Sequence, residues 1–461
     1  MKNIWLLLVS LVFYAWGEPI YIVLMLFSIT INYFLGKKVE MCPKSKEGKR
    51  IVLIACLINL GMLFVFKYLA WLISLFIGEA IYQTPLAGLS LPIGISFYTF
   101  QALSYVIDVY RGKDKAQQSI LNVGLYIAFF PQLIAGPIVR YNSIAEQLLH
   151  REHTFEKFAE GAKRFTIGLS KKVIIANHVA VVAEQAFGAT SYRRSVVFAW
   201  VGALAFMLQI YFDFSGYSDM AIGLGKMFGF EFRENFNYPY ISKSITEYWR
   251  RWHISLGEWF RDYLFYPFSL GPAVRLRKKI VKKVGRKQSA VVASVLTLFV
   301  VWMSTGIWHG ANMTFVLWGF IQFAFLVFEQ YRKPLKNKKL GAVLGFTSTF
   351  FVILFTKVIF NAASVTHAFY YYGSMFHLTG NNWIDAYGNY WISQYKFFLI
   401  IGFILIFPVV ETFNKKVKES GNELIIKLTE GVEMFLLFLC LIVDVILAAS
   451  GGYNPFIYFN F

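Results

Sequence analysis

Apolar runs recur along the chain at roughly 4–16, 19–36, 51–77, 92–109, 119–138, 165–187, 195–214, 289–308, 312–330, 341–361, 395–411 and 432–449. About 18 or more apolar residues are needed for a helix to span the hydrocarbon core. The pattern predicts an all-α polytopic membrane protein, a single integral membrane domain over residues 1–461. Several runs are short or interrupted by helix breakers, at Leu91-Pro92-Ile93-Gly94, Phe130-Pro131-Gln132 and Gly136-Pro137. Broken backbone at membrane depth is tolerated only where protein or a cavity covers it. The 90–260 region is therefore expected to hold re-entrant or half-buried helices rather than a row of simple spans. The run Ile4 to Tyr14 resembles a signal peptide, but another run, Ile20 to Phe34, follows at once and Ala15-Trp16-Gly17 is a poor cleavage site. It is expected to be an uncleaved first membrane segment.

Composition agrees with the pattern. Hydrophobic residues make up 57% and charged residues 15%, against about 25% charged in soluble domains. The net charge is +19. In a soluble chain that would point to nucleic acid, but here the basic residues gather between apolar runs, at 37–50, 275–287, 332–339 and 415–427. Segments 78–91 and 362–394 contain neither Lys nor Arg. The basic loops are placed in the cytoplasm and the neutral ones outside, with contact to anionic headgroups a secondary use. The three cysteines, Cys42, Cys56 and Cys440, show neither a disulfide framework nor zinc-ligand spacing.

His309 is the first candidate for chemistry. It lies in Trp308-His309-Gly310-Ala311-Asn312, a polar notch between the apolar runs Val291 to Ile307 and Phe315 to Phe328. An ionisable group among membrane spans is costly, and so is a functional candidate. An imidazole also suits proton transfer near neutral pH. The alternative is a packing histidine bonded to a carbonyl. A helix leaving Lys287 covers roughly 33 Å before it reaches His309, so His309 is expected far from the cytoplasmic loops.

Segment 242–266 reads as one amphipathic helix. Ser244-Ile245-Thr246-Glu247 is a capping-box pattern. Trp249, Trp252, His253, Leu256, Phe260 and Tyr263 recur at three- and four-residue spacing along one face. His253 is thus either a satisfied core histidine or a second functional imidazole. Buried acids are expected at Asp213, Asp219 and Asp444. Asp213 and Asp219 either line a polar pathway or pair with Arg233, Arg250 or Arg251; the structural pairing is the preferred reading. The chain lacks a Gly-x-Ser-x-Gly elbow, a His-Glu-x-x-His pair, a P-loop and a Gly-x-Gly-x-x-Gly turn.

The segments Gln209 to Ala221, Tyr248 to Leu256, Phe260-Arg261-Asp262-Tyr263, Thr305 to Asn312 and Pro455-Phe456-Ile457-Tyr458-Phe459 resemble bacterial membrane-bound O-acyltransferases. The likeness is nearest to the branch that O-acetylates alginate and other polysaccharides. It implies a helical bundle with re-entrant helices around a central channel, with His309 as the active-site histidine and His253 as the family's second histidine. Trp308, Asn312, Trp249, Trp252, Arg250 and Asp213 become candidate substrate-binding residues. The implied donor is acetyl-CoA, as a substrate, with no bound cofactor or metal. The implied partners are an extracytoplasmic SGNH-type subunit and a polysaccharide acceptor, at the bacterial cytoplasmic membrane. The basic segment 275–287 either attracts the CoA phosphates or serves only as a topology signal. The rivals are D-alanyl transfer from a carrier protein to teichoic acid, and polysaccharide or lipid transport. A transporter should show paired internal repeats, and none is convincing here.

Overall fold

The computed structural model describes residues 2–84, 89–190, 194–333, 336–451 and 455–457. Tyr458 and Phe459 of the terminal motif lie outside the described residues. Among the described residues every regular element is helical. Eight helices among the described residues are long and apolar enough to cross a membrane, and a ninth arises if Ala386–Leu405 and Val409–Glu419, bent by 54°, count as one span. The protein is a multi-pass membrane protein.

The interrupted runs behave as their breakers require. The Ile95–Arg111 helix starts only after Gly94, whose φ of 74° few other residues accept. The 119–138 run splits into Ile120–Ala128 and Phe130–Leu133, with Pro131 in the first turn of the second piece. Within 90–260, however, Phe155–Gly188 and Val196–Met227 are long enough to cross, so only part of that region consists of short helices.

The chain forms two compact units, one of residues 1–164 with 221–234 and the other of 165–220 with 235–461. In the first, Ile95–Arg111 is central and buried along almost its whole length, against Ile22–Glu40 and Lys46–Lys67. Gly36 admits the Tyr105 ring, since a Cβ there would lie 2.6 Å from it. Fully buried Asn32 and Asn59 exchange amide hydrogen bonds of 3.0 and 2.9 Å across two helices. Such a pair satisfies polar groups that lipid would leave bare.

In the second unit the part of Val196–Met227 up to Met220 is the buried centre. Gly168 and Gly216 bring it against the Phe155–Gly188 helix, where a Cβ on either would meet the other's carbonyl oxygen at 2.5 or 2.7 Å. Beyond that contact the turn Lys171–Ala176 widens into a π-helix, a local form frequent at functional or strained positions. Lys171 Nζ then reaches Asp219 Oδ2 at 2.6 Å, and Lys172 Nζ pairs with Asp213 Oδ1. Both acids therefore take structural partners. Lys171 and Lys172 of a neighbouring helix are among these partners, while Arg251 pairs with Glu247. Asp444 is the buried residue of Glu423–Ser450, a helix exposed nearly everywhere else, and it accepts from Ser170 Oγ at 2.7 Å.

Candidate active site

The stretch read as one helix over 242–266 is two. Ile245–Arg251 and Ile254–Phe260 meet at Trp252-His253, where His253 takes φ 46° and ψ 55°. Histidine is among the residues that enter this left-handed region more readily than most. Periodicity missed the break because the aromatic spacing continues through it. The start of the stretch follows the capping rule: Ser244 Oγ accepts from Glu247 N at 3.0 Å, and Glu247 Oε2 accepts from Lys243 N at 2.9 Å. The returning bond goes to the residue before the cap rather than to the cap itself.

The break turns the His253 ring inward, leaving it 1% exposed. Its Nδ1 lies 3.2 Å from Asn235 Oδ1, which also accepts from Ser255 N at 3.1 Å and Ser255 Oγ at 2.9 Å. A backbone N–H can only donate, so the atom it reaches is the amide oxygen. Nδ1 of a neutral His253 therefore carries the proton, and Nε2 carries the lone pair. Phe214 meets the ring edge-on at 4.7 Å.

His309 is the last residue of the helix Pro272–His309, which is kinked at Gly285 (φ 82°). Past the kink one helical stretch leads from the end of the basic segment to His309, and the basic segment is itself mostly exposed. The next helix, Met313–Tyr331, packs against this stretch through Gly306 and Gly319. A Cβ on Gly306 would stand 2.5 Å from Phe315 O, and one on Gly310 would stand 2.3 Å from the Phe315 ring. Small residues here let the two backbones approach. The His309 ring, 7% exposed, is enclosed by Trp308, Trp318 and Phe360 at centroid distances of 5.0, 5.0 and 5.2 Å.

Trp308 joins the two histidines, with its ring 6.2 Å from that of His253. Trp252 packs on Tyr248 and Phe236 beside His253. Trp249 lies 5.6 Å from Trp318 and donates to Gln322 Oε1 at 3.1 Å. His309, His253, Trp308, Trp252 and Trp249 thus belong to one aromatic cluster. The other candidates do not join it through their polar groups. Asn312 caps Met313–Tyr331 by accepting from Thr314 N, and it donates to Ala363 O, so its amide braces the turn. Arg250 is exposed. The Asp213 carboxylate holds Lys172 and the Ile457 backbone N–H.

Lys357 is a residue that the sequence reading passed over. It is 3% exposed, and its Nζ lies 4.3 Å from the Trp252 ring and 5.0 Å from the Phe360 ring. No carboxylate among the described residues pairs with it. The ammonium is held on aromatic faces, one beside His253 and the other against His309. Its signal was available, since a lysine inside the 341–361 apolar run meets the same criterion that singled out His309. Asn235 carried no comparable signal, because only the fold brings it to His253.

A model of the membrane-bound O-acyltransferase family matches residues 114–365, which hold both histidines and Lys357. The chain is 39% identical over 380 residues to the probable alginate O-acetylase of Pseudomonas syringae pv. tomato, covering 81% of this chain and 70% of that protein. It is 34% identical to the probable alginate O-acetylase of Pseudomonas putida over 100% of this chain and 94% of the relative. It is 32% identical to the peptidoglycan O-acetyltransferase of Helicobacter pylori, covering 79% and 72%.

Proposed function

The chain belongs to the membrane-bound O-acyltransferase family, and on that premise we propose that this enzyme takes acetyl from cytoplasmic acetyl-CoA for O-acetylation of an extracytoplasmic polysaccharide. An SGNH-type subunit receives the acetyl group and completes delivery, at the bacterial cytoplasmic membrane. The observation that carries the reading is the convergence of His309, His253 and Lys357 on one aromatic cluster.

In this reading neutral His309 accepts the proton of an incoming hydroxyl as the oxygen attacks the thioester carbonyl. The carbon–oxygen bond forms, the carbonyl becomes an oxyanion, and collapse expels the CoA thiolate, which takes the proton back from the imidazolium. General-base help of this kind contributes about 10²–10⁴-fold. His253, with its proton committed to Asn235, offers Nε2 as an acceptor and orients the hydroxyl. The positive charge for the oxyanion comes from Lys357, where low dielectric magnifies it. The aromatic walls exclude water that would hydrolyse the thioester.

The test uses purified protein in vesicles given labelled acetyl-CoA, the SGNH-type subunit and polysaccharide, with an aminoacyl carrier protein as a parallel donor. Acetyl should reach the acceptor with equal release of CoA thiol, and His309→Ala should abolish this while remaining folded. Transfer from the carrier alone would favour D-alanylation, and full activity in His309→Ala would reject the base.

A further inference from the structure

The first unit contains a cavity of about 900 Å³ that the proposed chemistry does not use. Its walls come from the start of the Lys2–Gly17 helix, the start of Ile120–Ala128, the stretch from Gln147 to His153, and Lys157. Lys2, His150, Arg151, His153 and Lys157 all line it.

These cations are differently committed. Lys157 Nζ lies 3.6 Å from both Glu152 and Glu231, so its charge is offset locally. Arg151 has only neutral partners, donating to Asn3 Oδ1 at 2.7 Å, Phe228 O at 3.1 Å and Gln147 O at 3.3 Å. Its Nη2 is buried with no hydrogen-bond partner, a costly state for a guanidinium donor. The side chains of Lys2, His150 and His153 make no hydrogen bond or ion pair with the described residues. Burial, and then the charges of Lys2, Arg151 and Lys157, hold the His153 imidazole below its usual range. The cavity is therefore a region of positive potential, its cations only partly offset by Glu152 and Glu231.

Its surroundings are apolar. Ile4, Trp5, Leu121, Leu149 and Phe155 are all exposed near the residues that line it. Lys2–Gly17 and Ile22–Glu40 are antiparallel, so Lys2 lies at the end where Lys37 and Lys38 close the second helix. By the charge rule that end faces the cytoplasm. Exposed tryptophan and aliphatic side chains around a basic hollow mark the membrane–water boundary, where basic pockets at helix ends take anionic headgroups.

We propose that this cavity binds the phosphate of an anionic phospholipid, with Lys2 and Arg151 on the phosphate and the exposed apolar rim against the acyl chains. A soluble phosphate compound shares the charge but makes no use of the rim, which is why the lipid is the assigned occupant. The site is independent of the acyl-transfer reading.

The experiment is hydrogen–deuterium exchange on the delipidated full chain in detergent, titrated separately with short-chain phosphatidylglycerol, short-chain phosphatidylcholine, inorganic phosphate and adenosine 3′,5′-bisphosphate. Phosphatidylglycerol alone should protect residues 2–5 and 147–157 in a saturable way. The pair Lys2→Gln and His153→Gln should weaken that protection roughly fivefold, as loss of about one lysine-sized interaction with anionic lipid implies. Arg151 is left in place because it also braces the fold. Equal protection by either soluble phosphate, equal protection by phosphatidylcholine, unchanged affinity in the double variant, or no protection by any probe would each overturn the assignment.

Discussion

Nδ1 of His253 faces Asn235 Oδ1 at 3.2 Å, and the Ser255 N–H on the same oxygen fixes which tautomer the ring adopts. Asn235→Ala removes that control and leaves the Ser255 N–H without its acceptor. A lost buried partner costs about 1–3 kcal/mol. The variant should stay folded with a modestly lower unfolding temperature, and its kcat should fall at least tenfold with little change in KM for the donor. Steady-state kinetics beside a thermal melt would check this; an unchanged kcat would remove His253 orientation from the mechanism.

Lys357→Met keeps the length and apolar stem of the side chain but deletes the charge between Trp252 and Phe360. Loss of one oxyanion-stabilising group costs about 10²–10³ in kcat. That loss is expected here, with partial recovery in Lys357→Arg, which restores a cation on the same rings. Donor affinity, measured on the His309→Ala background so that no turnover intervenes, should be unaltered. A Lys357→Met enzyme of normal kcat would limit the lysine to packing.

Removing one member of a buried ion pair strands the other, at a cost of about 3–5 kcal/mol. Lys172→Met should therefore destabilise the second unit strongly, because Asp213 would keep only the Ile457 N–H. Adding Asp213→Asn should return much of the loss. Thermal unfolding of the two single variants and the double variant forms the cycle, and strict additivity would contradict the pairing. Exchange at Ile457 should also speed up in Lys172→Met, since Lys172 holds Pro455 O and the Phe456 ring.

Asp114 lies in the loop after Ile95–Arg111, where burial and then the nearby Asp108 push its carboxyl up to about 6. A raised carboxyl pKa means the folded state keeps a proton that the unfolded chain has already released. Stability is thus unaffected at low pH, falls as pH climbs from the ordinary carboxylate range to about 6, and stays reduced above it. Asp114→Asn should melt higher than the parent at pH 8 and at the same temperature at pH 4. A constant difference across that range would show that the charge is not the cause.

Much of this was legible in the sequence, and the reason differs by residue. His309 stood out because an imidazole between two apolar runs is costly wherever those runs pack. Gly94, Pro131 and Ser244 act locally, through φ, a missing N–H and a cap, so their effects survive any tertiary arrangement. The break at His253 did not show, because no glycine or proline marks it and the buried Asn235 that supports it lies eighteen positions away. Asp213 and Asp219 were expected to take structural partners, as they do, but that Lys171 and Lys172 are among them depends on helix pairing rather than on spacing. Asn312, singled out as a candidate ligand residue, has a structural task that spacing did not show: it caps a helix start, as asparagine does.

The π-helical turn at Lys171–Ala176 has one more effect. It holds an extra residue, so the two halves of Phe155–Gly188 are out of phase by about 100°, the angle of one helical position. A stripe traced along the first half points the wrong way in the second. Deleting one residue between Lys172 and Asn177 would bring the halves back into step and turn the buried face of Asn177–Gly188 by about 100° relative to the lysines. The length of this turn is therefore as tightly constrained as its chemistry.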